Sequence, residues 1–203
     1  MNLFITKLIS SIAEILVFSI VPFIWWLIKY RKSCSFFEWI GLKKIKDFKA
    51  RNIHFAIFGV EVAFMVLSVF MLHSVKGIET ATSEFTGLGA AAIPAILVYA
   101  ILNTSLPEEI LFRGFIIKRL SGKCGFQGAN LMQSFIFGII HGAMFFSLTG
   151  PVKAALITGF TAMIAWAMGY LNEQRADGSI LPSWCIHAIA NIFSGICAAF
   201  LLF

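Results

Sequence analysis

Along the chain, the apolar positions gather into six blocks, near 3–28, 53–75, 89–120, 126–148, 152–171 and 180–203. A helix that crosses a bilayer needs about 20 apolar residues, so each block suffices for one crossing. The pattern predicts an all-α fold: a polytopic integral membrane helix bundle of about six transmembrane helices, in one domain over 1–203 with no internal repeat. The third block is longer and carries Pro94 and Pro107. A proline inside a helix removes one backbone bond and clashes with the preceding turn, so a kink is expected at Pro107. The first block is too long, and too directly followed by a basic loop, to read as a cleaved signal.

Composition strengthens the membrane reading. The chain is 59% hydrophobic and 13% charged, against about 45–50% and about 25% in soluble domains. Lys and Arg then suggest an orientation. Lys29, Arg31, Lys32, Lys43, Lys44, Lys46, Lys49 and Arg51 crowd one loop, and Lys118, Arg119, Lys123 and Arg175 fall in later loops on the same side. Lys7, Lys76 and Lys153 fall on the other. The positive-inside rule places the first group in the cytoplasm and both termini outside. The net charge of +6 is accounted for by anionic membrane lipid and implies no nucleic acid. Within the basic loop, SFFEWIGLKKIKDF (35–48) alternates aromatic and aliphatic residues with lysines, the pattern of an interfacial amphipathic helix. Cys34, Cys124, Cys185 and Cys197 form no CxxC; reduced thiols are expected.

Against this background LPEEILFRGF (106–115) stands out, with Glu108, Glu109 and Arg113 in six positions. Each charge at the centre of a spanning helix costs about 2.5–3.5 kcal/mol unless compensated. Glu109 and Arg113, four apart, share a helix face and can pair. Glu108 lies about 100° further round and has no basic partner at that spacing. One alternative is a capping box, Ser105 with Glu108, that starts a new helix here. Two further stretches bear on the choice. QSFIFGIIHGA aligns Gln133, Phe137 and His141, and LPSWCIHAIANIFS aligns His187 and Asn191, each set four residues apart in an apolar run. A carboxylate and an imidazole converging on one water make a general-base pair, and an imidazole with a carboxamide can stabilise an oxyanion. No nucleophile is evident, since Ser134, Ser183 and Cys185 hold no triad-like position. Direct attack of water on an amide, by an intramembrane peptidase, is the economical reading. Glu14 and Glu61, in the first two spans, are expected to be neutral or paired and structural.

The same residues carry a resemblance. EEILFR (Glu108–Arg113), FGIIH (Phe137–His141) and HAIAN (His187–Asn191) resemble the EExxxR, FxxxH and HxxxN motifs of the CPBP family of CAAX proteases and bacteriocin-processing (Abi) enzymes. FRGF, GSILPSW and WIGLKK nearby agree. The likeness spans about 105–195, a catalytic core. It implies an all-helical membrane glutamic endopeptidase. In that role Glu108 and His141 activate water, His187 and Asn191 form the oxyanion hole, and Glu109, Arg113 and Phe137 support the motif helix. No metal or cofactor is implied, and the partner is a peptide or protein substrate reached from the cytoplasm of a bacterial cell membrane. The short chain points to a leader, bacteriocin or signalling peptide, or to self-immunity, rather than to a prenylated tripeptide. Two other readings stay open. One is a zinc protease on Glu, His and His, although HExxH is absent; the other is a non-catalytic immunity or transport protein.

Overall fold

The structure is a computed structural model that describes residues 2–46, 52–74 and 77–202. Among these the chain is all helical, with no strand. Helix α1 is Leu3–Lys29, α2 is Phe36–Ile40 and α3 is Ile53–Ser74. After two 3₁₀ turns, Ser83–Phe85 and Gly89–Ala92, a long helical run is broken at Gly125 (φ 72°) and Gly150 (φ 78°). This gives three rods, α4 (93–124), α5 (126–149) and α6 (151–175), before α7, Leu181–Ala199. Positive φ is open to glycine at little steric cost, and Pro151 restarts α6 where its missing N–H does no harm. Helix α1, the 89–175 run and α7 are long and apolar enough to cross a membrane, and α3 carries a shorter apolar stretch, Ile53–Val66.

Contacts fix the directions. Helix α1 runs parallel to α4: Ser10 Oγ donates to Asn103 Oδ1 (3.2 Å) near one end, and Trp25 meets Phe115 (5.8 Å between rings) near the other. Helices α5 and α6 form a hairpin in which Asn130 Nδ2 donates to Trp166 O (3.0 Å) and Gln133 Nε2 to Ala165 O (3.2 Å). A Cβ at Gly142 would overlap the Thr158 hydroxyl, so the small residue lets these backbones approach, as membrane helix pairs require. Helix α7 runs back along α4, and α3 closes the bundle through Ile53, Ile164, Met168, Leu171 and Ile186. The basic residues of 29–46 and 118–123, with Arg175, gather at one end; Lys118 binds Glu173 (2.7 Å) and Gly178 O (2.6 Å) there. Lys49, Arg51 and Lys76 lie outside the described residues. All four cysteines are free.

Two expectations are corrected. The interfacial helix is only five residues long, because Gly41 turns left-handed at its end (φ 88°). Its Trp39 and Ile40 are buried against Ile110 and Ile180 rather than laid on a headgroup surface. Burial of such a side chain is worth about 1.5–3 kcal/mol, and Ile180 N donating to Gly41 O (2.9 Å) and Ser179 Oγ to Lys43 O (2.6 Å) pin the loop inward. Asp47 and Phe48, the end of that stretch, lie outside the described residues. Nor does Pro107 break the third block: the dihedrals stay helical from Ser105 (−65°, −49°) through Ile110 (−58°, −48°).

Candidate active site

The irregularity expected at Pro107 takes another form. Two π-helical turns, Tyr99–Ser105 and Ile110–Ile116, bracket LPEE. Leu106 N–H reaches Ile101 O and Ile117 N–H reaches Phe112 O, five residues back rather than four. Single π turns concentrate at functional sites. Ser105 has helical dihedrals and caps nothing, which removes the capping-box alternative. Its hydroxyl instead accepts a hydrogen bond from Asn191 Nδ2 (3.2 Å).

Glu109 faces a closed wall. It is fully buried, with Oε1 3.1 Å from Arg113 Nη1 and 3.1 Å from His187 Nδ1. Ser183 Oγ donates to Oε2 (2.5 Å), and Asn172 Nδ2 donates in turn to Ser183 Oγ (2.7 Å). Arg113 has no well-aligned hydrogen bond, so its tie to Glu109 is chiefly coulombic. Its other face rests on the Phe137 ring, 4.5 Å from the centroid, a cation–π contact that desolvation strengthens. Phe137 also meets Phe112 edge-on (4.9 Å) and lies 4.3 Å from the His141 ring. The motif phenylalanine is thus the packing centre that fixes Arg113 and His141 together.

Glu108 faces the other way, into a cavity of about 260 Å³. Its wall includes Glu108 and Thr104 of α4, His141 of α5, and His187 and Asn191 of α7, with Met144, Phe145, Ile157 and Phe160 as an apolar side. The four side chains read from sequence as catalytic therefore share one space. Glu108 Oε2 stands 3.8 Å from His187 Nε2, and buried Oε2 has no hydrogen bond. His141 Nδ1 lies 2.9 Å from Phe137 O; donation there leaves Nε2 with its lone pair turned to the cavity. His187 sits between the carboxylates, Nδ1 toward Glu109 and Nε2 toward Glu108.

Thr80, Ala81, Thr82 and Ser194 form the far wall of the cavity, at the end of the bundle away from the basic loops. A cytoplasmic basic end and a cytoplasmic opening thus do not go together: the space runs from mid-bundle to the opposite end. Gln133 shares a stripe with Phe137 and His141 but not the cavity; it is buried and ties α5 to α6. Both Glu61 carboxylate oxygens are buried without a hydrogen bond, so of the two alternatives expected for it, neutral or paired, the pairing is not seen. Ser105, Asn172 and Ser183 support the site although none is a motif residue; the sequence hint is that Ser105 precedes EEILFR and Ser183 falls within GSILPSW, while nothing marks Asn172. Among the described residues, no three His, Cys, Asp or Glu side chains are grouped as metal ligands.

A family model described as type II CAAX prenyl endopeptidase Rce1-like matches residues 90–193. The chain belongs to this family. No curated protein and no solved structure matches it. The Rce1-like segment contains α4, α5, α6 and most of α7, hence every residue described above on the cavity except Thr80, Ala81, Thr82 and Ser194. Helices α1 and α3, with Glu14 and Glu61, lie outside it. Family membership makes the chain a membrane-embedded protease that acts on peptides or proteins.

Proposed function

We propose that this protein is an intramembrane glutamic endopeptidase that hydrolyses a peptide bond of a membrane-associated peptide or protein by direct attack of water. The observation that carries the reading is the convergence of Glu108, His141, His187 and Asn191, from three helices, on one cavity. A water held between the Glu108 carboxylate and His141 Nε2 loses a proton to Glu108 as its oxygen attacks the scissile carbonyl. The developing oxyanion takes hydrogen bonds from the second N–H of the Asn191 amide and from His187 Nε2–H. With Nδ1–H held by Glu109, donation from Nε2 requires both ring nitrogens to carry protons at this step. Protonated Glu108 then delivers its proton to the departing nitrogen, the C–N bond breaks, and an acid and an amine leave.

In this reading α1, α3, α4, α5, α6 and α7 make six crossings, with the basic end in the cytoplasm. The cavity then meets the outer face, which suits an exported leader or signalling peptide. The deciding experiment is peptidomics of membranes bearing wild-type protein or Glu108→Ala. New peptide termini that require Glu108 support the reading, and identical peptide sets refute it. Chelator treatment of the same membranes separates water activation by Glu108 and His141 from zinc chemistry, since activity lost to chelation and restored by zinc would demand a metal.

A further inference from the structure

A second cavity, about 190 Å³, adjoins the first across Glu108. It lies between α1 and α4, where Glu14 and Phe18 face Asn103, Pro107 and Glu108. Tyr99, Thr104 and Glu108 border both spaces, so Glu108 stands at their junction. Most of α1 turns apolar side chains such as Ile12, Leu16 and Ile20 outward, whereas Glu14 turns to this cavity.

The charge of the lining is one-sided. Two carboxylates face the space, and among the described lining residues there is no Lys, Arg or His. The cation nearest along α1, Lys7, is committed elsewhere: it pairs with Glu84 and lies over the Tyr99 ring, 5.3 Å from its centroid. Asn103, which also lines the space, accepts from Ser10 Oγ through Oδ1 (3.2 Å), so its amide N–H groups are the polar atoms it has left to offer. Carboxylates confined in a low-dielectric space call for a cation, and a donating amide beside them suits a peptide carbonyl.

We propose that this cavity is a substrate subsite for a cationic side chain, Lys or Arg, next to the scissile bond, with Glu14 as the specificity-determining carboxylate. The inference rests on the endopeptidase reading and adds to it the class of peptide. The chain at the reacting carbonyl would place its basic residue between α1 and α4. Its other flank would meet the apolar wall of Met144, Phe145, Ile157 and Phe160. Glu14 lies outside the family match, so this preference would belong to this chain rather than to the shared motifs.

The test uses full-length protein in lipid nanodiscs and paired fluorescent peptides that differ only in Lys or norleucine, scanned across the positions flanking each candidate bond. Binding is read by anisotropy for wild type, Glu14→Gln and Glu14→Lys. Lys peptides should bind wild type about tenfold tighter at one position, the order of a charge-assisted hydrogen bond. Glu14→Gln should erase that ratio without weakening the norleucine peptide, and Glu14→Lys should make the norleucine peptide the tighter binder of the pair. Equal binding by wild type, which requires no variant to fold, overturns the proposal, as does a ratio that survives Glu14→Gln. A uniform weakening of all peptides by Glu14→Gln, the mark of a water path or bound metal cation, overturns it too. Turnover of the same pairs is read separately: preference without cleavage keeps the subsite and removes the endopeptidase, and cleavage without preference does the reverse.

Discussion

Adjacent residues of one helix, Glu108 and Glu109, meet opposite surroundings. Around Glu109 the carboxylate is fully buried and meets Arg113, His187 and Ser183. Around Glu108 they are open, with a buried oxygen lacking a hydrogen bond and cavities on two sides. The lesson is a division of labour set by one step around a helix. A compensated carboxylate is cheap to keep ionised and expensive to remove. An uncompensated one at a cavity is reactive and can be replaced with little structural loss. His187 spans the two regions, and the Phe137 ring, between Arg113 and His141, joins them a second time.

The comparison can be broken by exchange. Glu108→Gln keeps shape and should leave the melting temperature within about 2 °C, since Oε2 makes no hydrogen bond to lose and its nearest charge partner, His187, is 3.8 Å away. Turnover on a cleaved peptide should fall by about two to four orders of magnitude, the worth of a positioned base. Glu109→Gln should show the converse, a loss of about 3–5 kcal/mol of stability from a buried Arg113 without its counter-charge, with a smaller fall in turnover in the protein that folds. If melting and turnover trade places between the two variants, the assignment of open and closed sides is wrong.

Two smaller changes sharpen it. Ser183→Ala removes a donor to a buried carboxylate, and about 1.5–3 kcal/mol of stability should go with it. Turnover should drop modestly because His187 is less firmly held; denaturant melts alongside initial rates would separate the two. Ser105→Ala frees Asn191 from its only side-chain partner among the described residues. Loss of a neutral hydrogen bond of about 1 kcal/mol predicts a fall of about 2–4 °C in melting temperature, and up to about fivefold in kcat if Asn191 loses its aim, with KM unchanged. A large stability loss there would move Ser105 to the structural side.

Much of this was legible because the punctuation is strong. Gly125 and the Gly150–Pro151 pair fixed the ends of α5 within a residue of the apolar blocks, since left-handed glycine and a first-turn proline leave a plain mark. Motif residues spaced by four announced shared faces for His187 with Asn191 and for Phe137 with His141. The π turns were not legible: hydropathy carries no record of a hydrogen bond shifted by one residue, and a uniform 100° wheel cannot place residues beyond them. Nor were Ser105, Asn172 and Ser183, whose partners lie 86, 11 and 74 residues away. The direction of the cavity depends on how α7 and the 80–82 segment pack, which no local pattern states. Gly41 shortened α2 in a stretch whose lysines and aromatics fit a longer helix equally well.

The single-residue turn at Gly150 has a consequence for how the protein is made. Helices of 24 and 25 residues separated by one residue leave no hydrophilic segment that could be exported or retained by itself. In the six-crossing reading proposed above, residues 126–175 would enter the bilayer together as a hairpin, and neither arm could be inverted independently of the other. In that reading His141, on the first arm, would reach its depth only once the second arm, carrying Thr158 and Ala165, has been synthesised.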